Sequence, residues 1–409
     1  MRSYQELFRT PEFTPLFLTA AVQVAAQTMA GLGLATLVLR STGSPFLSAL
    51  ALFGPALAQV VGAATLLSAA DRLPPRAALA GISLVFALGT AAQAVPGLPT
   101  GAVFGLLLVQ GLVGSVGGGV RYGLLGEVLP RAGHLLGRSV LNMAAGVCQI
   151  AGFAAGGVLV ATVSPRGTLL IAAGLHLAAG LLARRGLSRR GPRATGRPSA
   201  AETWRTNARL WSSRPRRLVY LALWVPNGLI VGCESLFVAY APDAWGPSGT
   251  PDSAGLLFAC AALGMLIGDT VVGRLLPTER RAGLGPPLQA LLAAPYLLFA
   301  LDPGLPLALV AVTVSGVGYG ASLIFQERLL ALVPDELRGH ALGLHSAGMP
   351  ALQGLSAALA GAVAQLTSPA VAMTVLAAVS LAVGGALVLT EGPSSGPRPS
   401  PRRARRRTA

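Results

Sequence analysis

The chain contains no lysine: its 31 non-histidine basic residues are all arginine. Acids are scarce, with 15 Asp and Glu in 409 residues, and charged residues make up only 11%. Soluble globular proteins are about a quarter charged, so a water-soluble chain is excluded. Three cysteines are too few for a disulfide framework. The four histidines, His134, His176, His340 and His345, have no metal-site spacing. The sequence has no G-x-x-x-x-G-K-[ST], no G-x-S-x-G and no H-E-x-x-H. An ATP-driven module, the common hydrolases and zinc enzymes are thereby excluded, so no enzyme, cofactor or metal is expected.

What is present is apolar. Hydrophobic residues account for 53%, too many for a disordered chain. The 52 glycines and 30 prolines follow no collagen-like period. An all-α integral membrane protein remains. A net charge of +16 would suggest nucleic acid in a soluble protein. Here the arginines lie between apolar runs and in the tail, which points to a membrane surface and not to nucleic acid.

A spanning helix needs about 20 mostly apolar residues. Twelve such runs occur, in two sets of six. The first set is Phe13–Leu39, Phe46–Ala70, Ala77–Val95, Gly101–Leu125, Ser139–Val163 and Gly167–Ala183. The second is Leu218–Ala241, Ala254–Leu276, Pro287–Leu301, Leu305–Leu329, Ala341–Leu366 and Ala370–Leu389. With both termini in the cytoplasm, 29 arginines fall inside and only Arg40 and Arg166 outside. That split fits the positive-inside rule and an even span count, in a multi-pass protein of the cell membrane. The first run is long and flanked by Glu6 and Glu12 as well as Arg2 and Arg9. It reads as a retained helix and not a signal peptide.

The expected organisation is a six-helix bundle over 1–183, an Arg-rich cytoplasmic linker over 184–217, a second bundle over 218–390 and a basic tail over 391–409. The linker holds 11 arginines and one acid, Glu202. Linker and tail are expected to lie on anionic lipid. The halves are related: at an offset of 204, Pro130/Pro334, Gln149/Gln353, Ala154/Ala358, Gly157/Gly361, Ser164/Ser368 and Pro165/Pro369 coincide. Parallel repeats of this kind put a substrate site between the halves. Glycines four apart, such as Gly152/Gly156, Gly264/Gly268 and Gly316/Gly320, suit close helix packing.

Local motifs sharpen the reading. The loop Leu67–Arg76 reads L-L-S-A-D-R-L-P-P-R, the fourth run contains Leu107-x-x-Gln110-Gly111, and the fifth reads Gly152-Phe153-Ala154-Ala155-Gly156-Gly157. With the six-plus-six arrangement and the long basic central loop, these resemble the major facilitator superfamily. They are most similar to its drug- and metabolite-efflux members. The family loop pattern matches at Asp71, Arg72 and Arg76, and departs at Leu67, Pro74 and Pro75. The exporters' fourth-span arginine and the antiporters' fifth-span proline are absent. The resemblance implies two pseudo-symmetric bundles that alternate access to a central cavity, with Asp71, Arg72 and Arg76 as a gating loop.

Ionisable groups inside hydrocarbon are functional candidates by default. Glu234 in the seventh run and Asp269 in the eighth are the candidate proton carriers, although Asp269 could simply pair with Arg274. Arg121 follows three glycines and could bind an anionic or polar substrate, or snorkel to the interface. Glu327 and Arg328 suggest an interfacial pair. Gln23 and Gln27 share one helix face, and Asn227 is the offset partner of Gln23. These three and Asn142 are the polar cavity candidates, and the resemblance implies that the helices carrying Gln23 and Asn227 face each other across a central cavity. The expected activity is proton-coupled efflux of small amphipathic molecules by a monomer, from an apolar, weakly charged cavity. An uptake facilitator or symporter is the alternative, and a membrane enzyme or sensor a more distant one.

Overall fold

A computed structural model describes residues 4–66, 73–192, 200–245, 251–281, 283–334 and 337–391. Helices dominate, and there is no strand among the described residues. A short α1 (Tyr4–Arg9) precedes the first bundle of α2 (Phe13–Thr42), α3 (Pro45–Leu66), α4 (Pro75–Gln93), α5 (Thr100–Val128), α6 (Arg131–Thr162) and α7 (Pro165–Gly186). The linker contains α8 (Ala200–Ser212). The second bundle comprises α9 (Arg214–Ser235), α10 (Phe237–Trp245), α11 (Pro251–Thr270), α12 (Thr278–Arg281), α13 (Gly285–Ala293), α14 (Leu305–Val317), α15 (Ala321–Ala331), α16 (Arg338–Leu366) and α17 (Pro369–Glu391). Ten helices are long and apolar enough to cross a membrane; Pro45–Gln59 and Gly285–Leu301 are shorter apolar helices. Together they occupy the places of the twelve expected runs.

The departures are local. The fifth helix starts at Arg131, not Ser139, because its first turns are polar and escape a hydropathy reading. The seventh breaks at Leu236 into α9 and α10. The eighth ends in a π-helical turn, Val271–Leu275. The ninth runs on from α13 as a 3-10 helix to Leu301, and the tenth is interrupted by a 3-10 turn at Gly318–Gly320. Irregular backbone at membrane depth survives only where protein buries it, and Leu236 and Gly318 are buried.

The repeat is visible in the caps. Ser164 and Ser368 precede Pro165 and Pro369, which open the last helix of each bundle. Ser164 Oγ accepts from the Gly167 N–H at 3.0 Å, and Ser368 Oγ from the Val371 N–H at 3.3 Å. Proline at the first helical position gives up no needed donor.

The bundles meet through repeat-related glycines. A Cβ on Gly255 would have no room: it falls 2.7 Å from Gly157 Cα and 2.9 Å from the Phe153 carbonyl. On the other side of the axis, one built on Gly361 falls 2.6 Å from Phe46 Cα. Phe153 stacks on Phe258 at 4.5 Å, and the Ser44 hydroxyl donates to Gln365 Oε1 at 2.7 Å. Leu32, Ala35 and Phe153 of the first bundle join Phe237, Leu257 and Phe258 of the second in a single apolar cluster. At the opposite end, which carries the linker, each bundle keeps its own cluster: around Leu16 and Leu124 in one, around Tyr220 and Phe325 in the other. Met143 and Asp269 lie fourteen residues, about four turns, along from Gly157 and Gly255, and so share their helix faces. Both are exposed. The bundles touch at one end and part at the arginine-rich end.

The linker is not featureless, as its composition suggested. In α8, Leu210 is fully buried, while Trp211 stacks on Trp224 at 5.6 Å. Arg205 and Arg209 are exposed. The linker's start is clipped to the first bundle. Arg190 donates to both Glu12 oxygens, at 2.8 and 3.2 Å, and lies 3.5 Å from Glu127. Burial raises the Glu12 carboxyl, but hydrogen bonds from Ser188 and Arg190 outweigh it and hold the carboxyl below its ordinary value. The basic tail beyond residue 391 and the gating residues Asp71 and Arg72 lie outside the described residues; Arg76 sits half-buried in the first turn of α4.

In α14, a Cβ on Gly316 would fall 2.5 Å from the Ala261 carbonyl, whereas Gly174 has open space. Gly316→Leu lowers the melting temperature in detergent by several degrees, for an overpacking cost of about 1–3 kcal/mol, and Gly174→Leu leaves it unchanged. A lowered carboxyl contributes stability above its unfolded pKa and loses it as pH falls through the folded value. Glu12→Gln therefore speeds amide exchange of residues 187–190 at pH 7, and the difference from wild type vanishes in acid below the folded Glu12 value.

Candidate functional site

A cavity of about 150 Å³ lies inside the first bundle toward the arginine-rich end. Its polar wall is Thr19, Gln23, Gln27, Gln59, Ser83 and Arg121. Thr19, Gln23 and Gln27 stand at i, i+4 and i+8 of α2 and so form one stripe. The Ser83 hydroxyl of α4 lies 3.2 Å from Gln23 Oε1 and 2.9 Å from the Leu79 carbonyl, and shares its one proton between them. Arg121 enters from α5, where Gly117 and Gly118 leave space ahead of it. Phe86 supplies an apolar wall. The wall is thus half polar and carries a cation, contrary to the apolar, weakly charged expectation.

The structure brings Gln23, Gln27 and Arg121 together, and separates them from Asn227. Asn227 Oδ1 accepts from Gln353 Nε2 at 3.0 Å, tying α9 to α16. It lines a water-sized recess of about 10 Å³ in the second bundle, together with Gln289 and Tyr319. Gln23 and Asn227 thus line separate recesses. The side chain of Asn142 lies outside the described residues. Gln110, quoted above in a family-like motif, is a structural tie: its amide donates to the Phe86 carbonyl and to Thr90 Oγ1, at 3.3 and 3.1 Å.

Glu234 is buried in the second bundle, next to the helix break at Leu236. The Tyr319 hydroxyl donates to its Oε1 at 2.9 Å. Tyr319 itself sits in the 3-10 turn that interrupts the tenth span. Both partners therefore stand where a helix loses regularity. The buried Tyr296 hydroxyl has no hydrogen-bond partner of good geometry, although it interacts electrostatically with the same carboxyl. Glu234 borders Cys233, Leu236 and Phe237 of the apolar cluster shared by the bundles.

Asp269 is exposed at the parted end of α11 and has no ion-pair partner among the described residues, so the expected pairing with Arg274 is not made. The Glu327–Arg328 pair is also corrected. Glu327 Oε1 accepts from Arg281 at 2.8 Å, because Arg281, folded back onto the Gly273 and Leu276 carbonyls, reaches it from the preceding loop. His176 is fully buried against Phe86, with ring centroids 5.3 Å apart and both nitrogens unpartnered. No group of three or more His, Cys, Asp or Glu side chains is placed to hold a metal among the described residues.

Comparison with known proteins agrees with this architecture. The family described as Major Facilitator Superfamily matches residues 16–326 and again 248–409. No curated protein matches by sequence. Among solved structures, a variant of the nucleoside transporter NupG is similar with a TM-score of 0.74 and 13% identity, over 92% of this chain and 99% of that one. An inward-facing, occupied bacterial homologue of the human lysosomal transporter Spinster gives 0.73 and 13%, over 95% and 97%. The peptide transporter POT in complex with sulfate gives 0.72 and 13%, over 96% and 98%.

Proposed function

Since this chain belongs to the Major Facilitator Superfamily and is a membrane transporter of that type, not an enzyme, we propose that it is a proton-coupled exporter of a small molecule working by alternating access. The observation that carries this reading is the asymmetry between the two ends of the bundle interface. Gly157 touches Gly255 at one end, while Met143 and Asp269 are exposed on the same faces four turns away. A two-bundle body joined at one end and parted at the other opens its cavity to one side at a time when the bundles rock.

The arginine distribution orients it, with both termini and the linker in the cytoplasm of a cell membrane. The cavity then opens inward, as an exporter loading cargo from the cytoplasm requires. The exposed Arg205 and Arg209 of α8 suit the anionic inner leaflet, each worth roughly 1 kcal/mol near acidic lipid. Glu234 is the proton carrier. Burial disfavours a charged carboxyl, the Tyr319 hydroxyl stabilises it when charged, and its neighbours pack the joined end of the bundles. Gain or loss of a proton there changes how well that end packs. Asp269, exposed in the parted gap, is a second proton site at the mouth. Asp71, Arg72 and Arg76 gate the cytoplasmic side, and the protein acts as a monomer.

In vesicles with an imposed pH gradient and a panel of small amphipathic molecules, Glu234→Gln lowers gradient-driven transport at least tenfold while passive exchange across the bilayer persists. Gradient-driven transport that survives the substitution removes Glu234 from the coupling step.

A further inference from the structure

We infer that the cargo of the first-bundle cavity is a small organic monoanion, a carboxylate on a single ring or a short chain, held by the Arg121 guanidinium; this rests on the transporter reading. Arg121 is the one charged side chain on the cavity wall, and no Asp or Glu lines it. Arg121 has no hydrogen-bond or ion-pair partner among the described residues. The amide groups of Gln23, Gln27 and Gln59 stand on the same wall, and Gln27 and Gln59 have no hydrogen-bond partner among the described residues. A fork of guanidinium donors matches a carboxylate, with amide N–H groups around it.

The setting of Arg121 decides between an anion and a neutral polar solute. The cavity is walled by α2, α3, α4 and α5 of one bundle, and half of its lining is apolar or glycine. A lone charge in such a low-dielectric recess is costly. A neutral cargo leaves the cost in place, a cationic cargo adds to it, and a monoanion cancels it. The cavity volume of about 150 Å³ suits one ring-sized group, and Phe86 provides a face for it.

The test uses full-length protein in detergent at low salt and three probes that share a ring and differ in charge: benzoate, benzamide and benzylamine. Calorimetric titration of wild type is expected to give benzoate at least tenfold tighter than either other probe. Arg121→Gln brings benzoate and benzamide within about twofold of each other, with benzamide binding retained as the sign of a folded cavity. Gln27→Leu weakens benzoate several-fold and keeps the charge preference. Equal affinities in wild type, tighter benzylamine, no binding of benzoate, or a benzoate preference that survives Arg121→Gln would each overturn the inference. Failure of the transporter reading looks different. With spin labels at positions 143 and 270 reading the gap between the bundles, benzylamine or benzamide binding best and still shifting that distance loses only the anion; if no probe shifts it, alternating access is lost as well.

Discussion

The close approach of Gly157 to Gly255, matched by that of Gly361 to Phe46, is the constraint on which the rest of the molecule depends. In a bilayer, apolar side chains gain little from each other that lipid would not supply, so helices join where small residues let backbones come near. Here those contacts gather toward one end of the interface, with Gly354 against Leu57 carrying them two to three turns further in. They bring Phe153 onto Phe258 and merge the apolar clusters of both bundles into one. Nothing equivalent joins the clusters at the arginine-rich end. A joint of this kind can be traded for its counterpart at the other end at modest cost, because each end alone holds only part of the interface.

The polar groups are divided between the bundles in a way that suits such a trade. The first bundle carries a cation and three glutamines around an open cavity. The second carries a buried carboxyl, held by a tyrosine, beside the joined end. Neither site touches the other, so any coupling between them travels through the rocking of whole bundles, a two-state element that both sites bias. The helix breaks at Leu236 and Gly318–Gly320 sit at the second site, where regular backbone would be stiffest.

Much of this was legible in the sequence, and the reasons are physical. Hydrocarbon thickness sets a run length, and the runs set the bundles. The offset of 204 singled out Gly157/Gly361 and Ser164/Ser368, which the fold uses as interface contacts and helix caps. The i, i+4 pair Gln23/Gln27 found the cavity, and one more step back along the helix adds Thr19. Other features depend on contacts between distant segments and left no local trace. Gln59 and Ser83 come from separate helices. Tyr319 reaches Glu234 across 85 residues. Asn227 was read as a cavity residue because its repeat partner is one, yet Gln353 claims it. Arg281 takes Glu327 from its neighbour because a folded loop brings it nearer than sequence order suggests. The linker's α8 was hidden because its average composition is polar, while its contacts come from two apolar residues, Leu210 buried and Trp211 stacked on Trp224.

The central claim is that the two ends of the bundle interface open and close in opposition. Spin labels at positions 44 and 365 report the joined end, where Ser44 and Gln365 are hydrogen-bonded, and labels at 143 and 270 report the parted end. Pulsed electron–electron distance measurements in lipid nanodiscs, at pH 5.5 and pH 8, should give two distances for each pair. The populations should shift reciprocally, so that the 44–365 distance lengthens as the 143–270 distance shortens. A single unchanging distance for both pairs, or both lengthening together, would contradict the account.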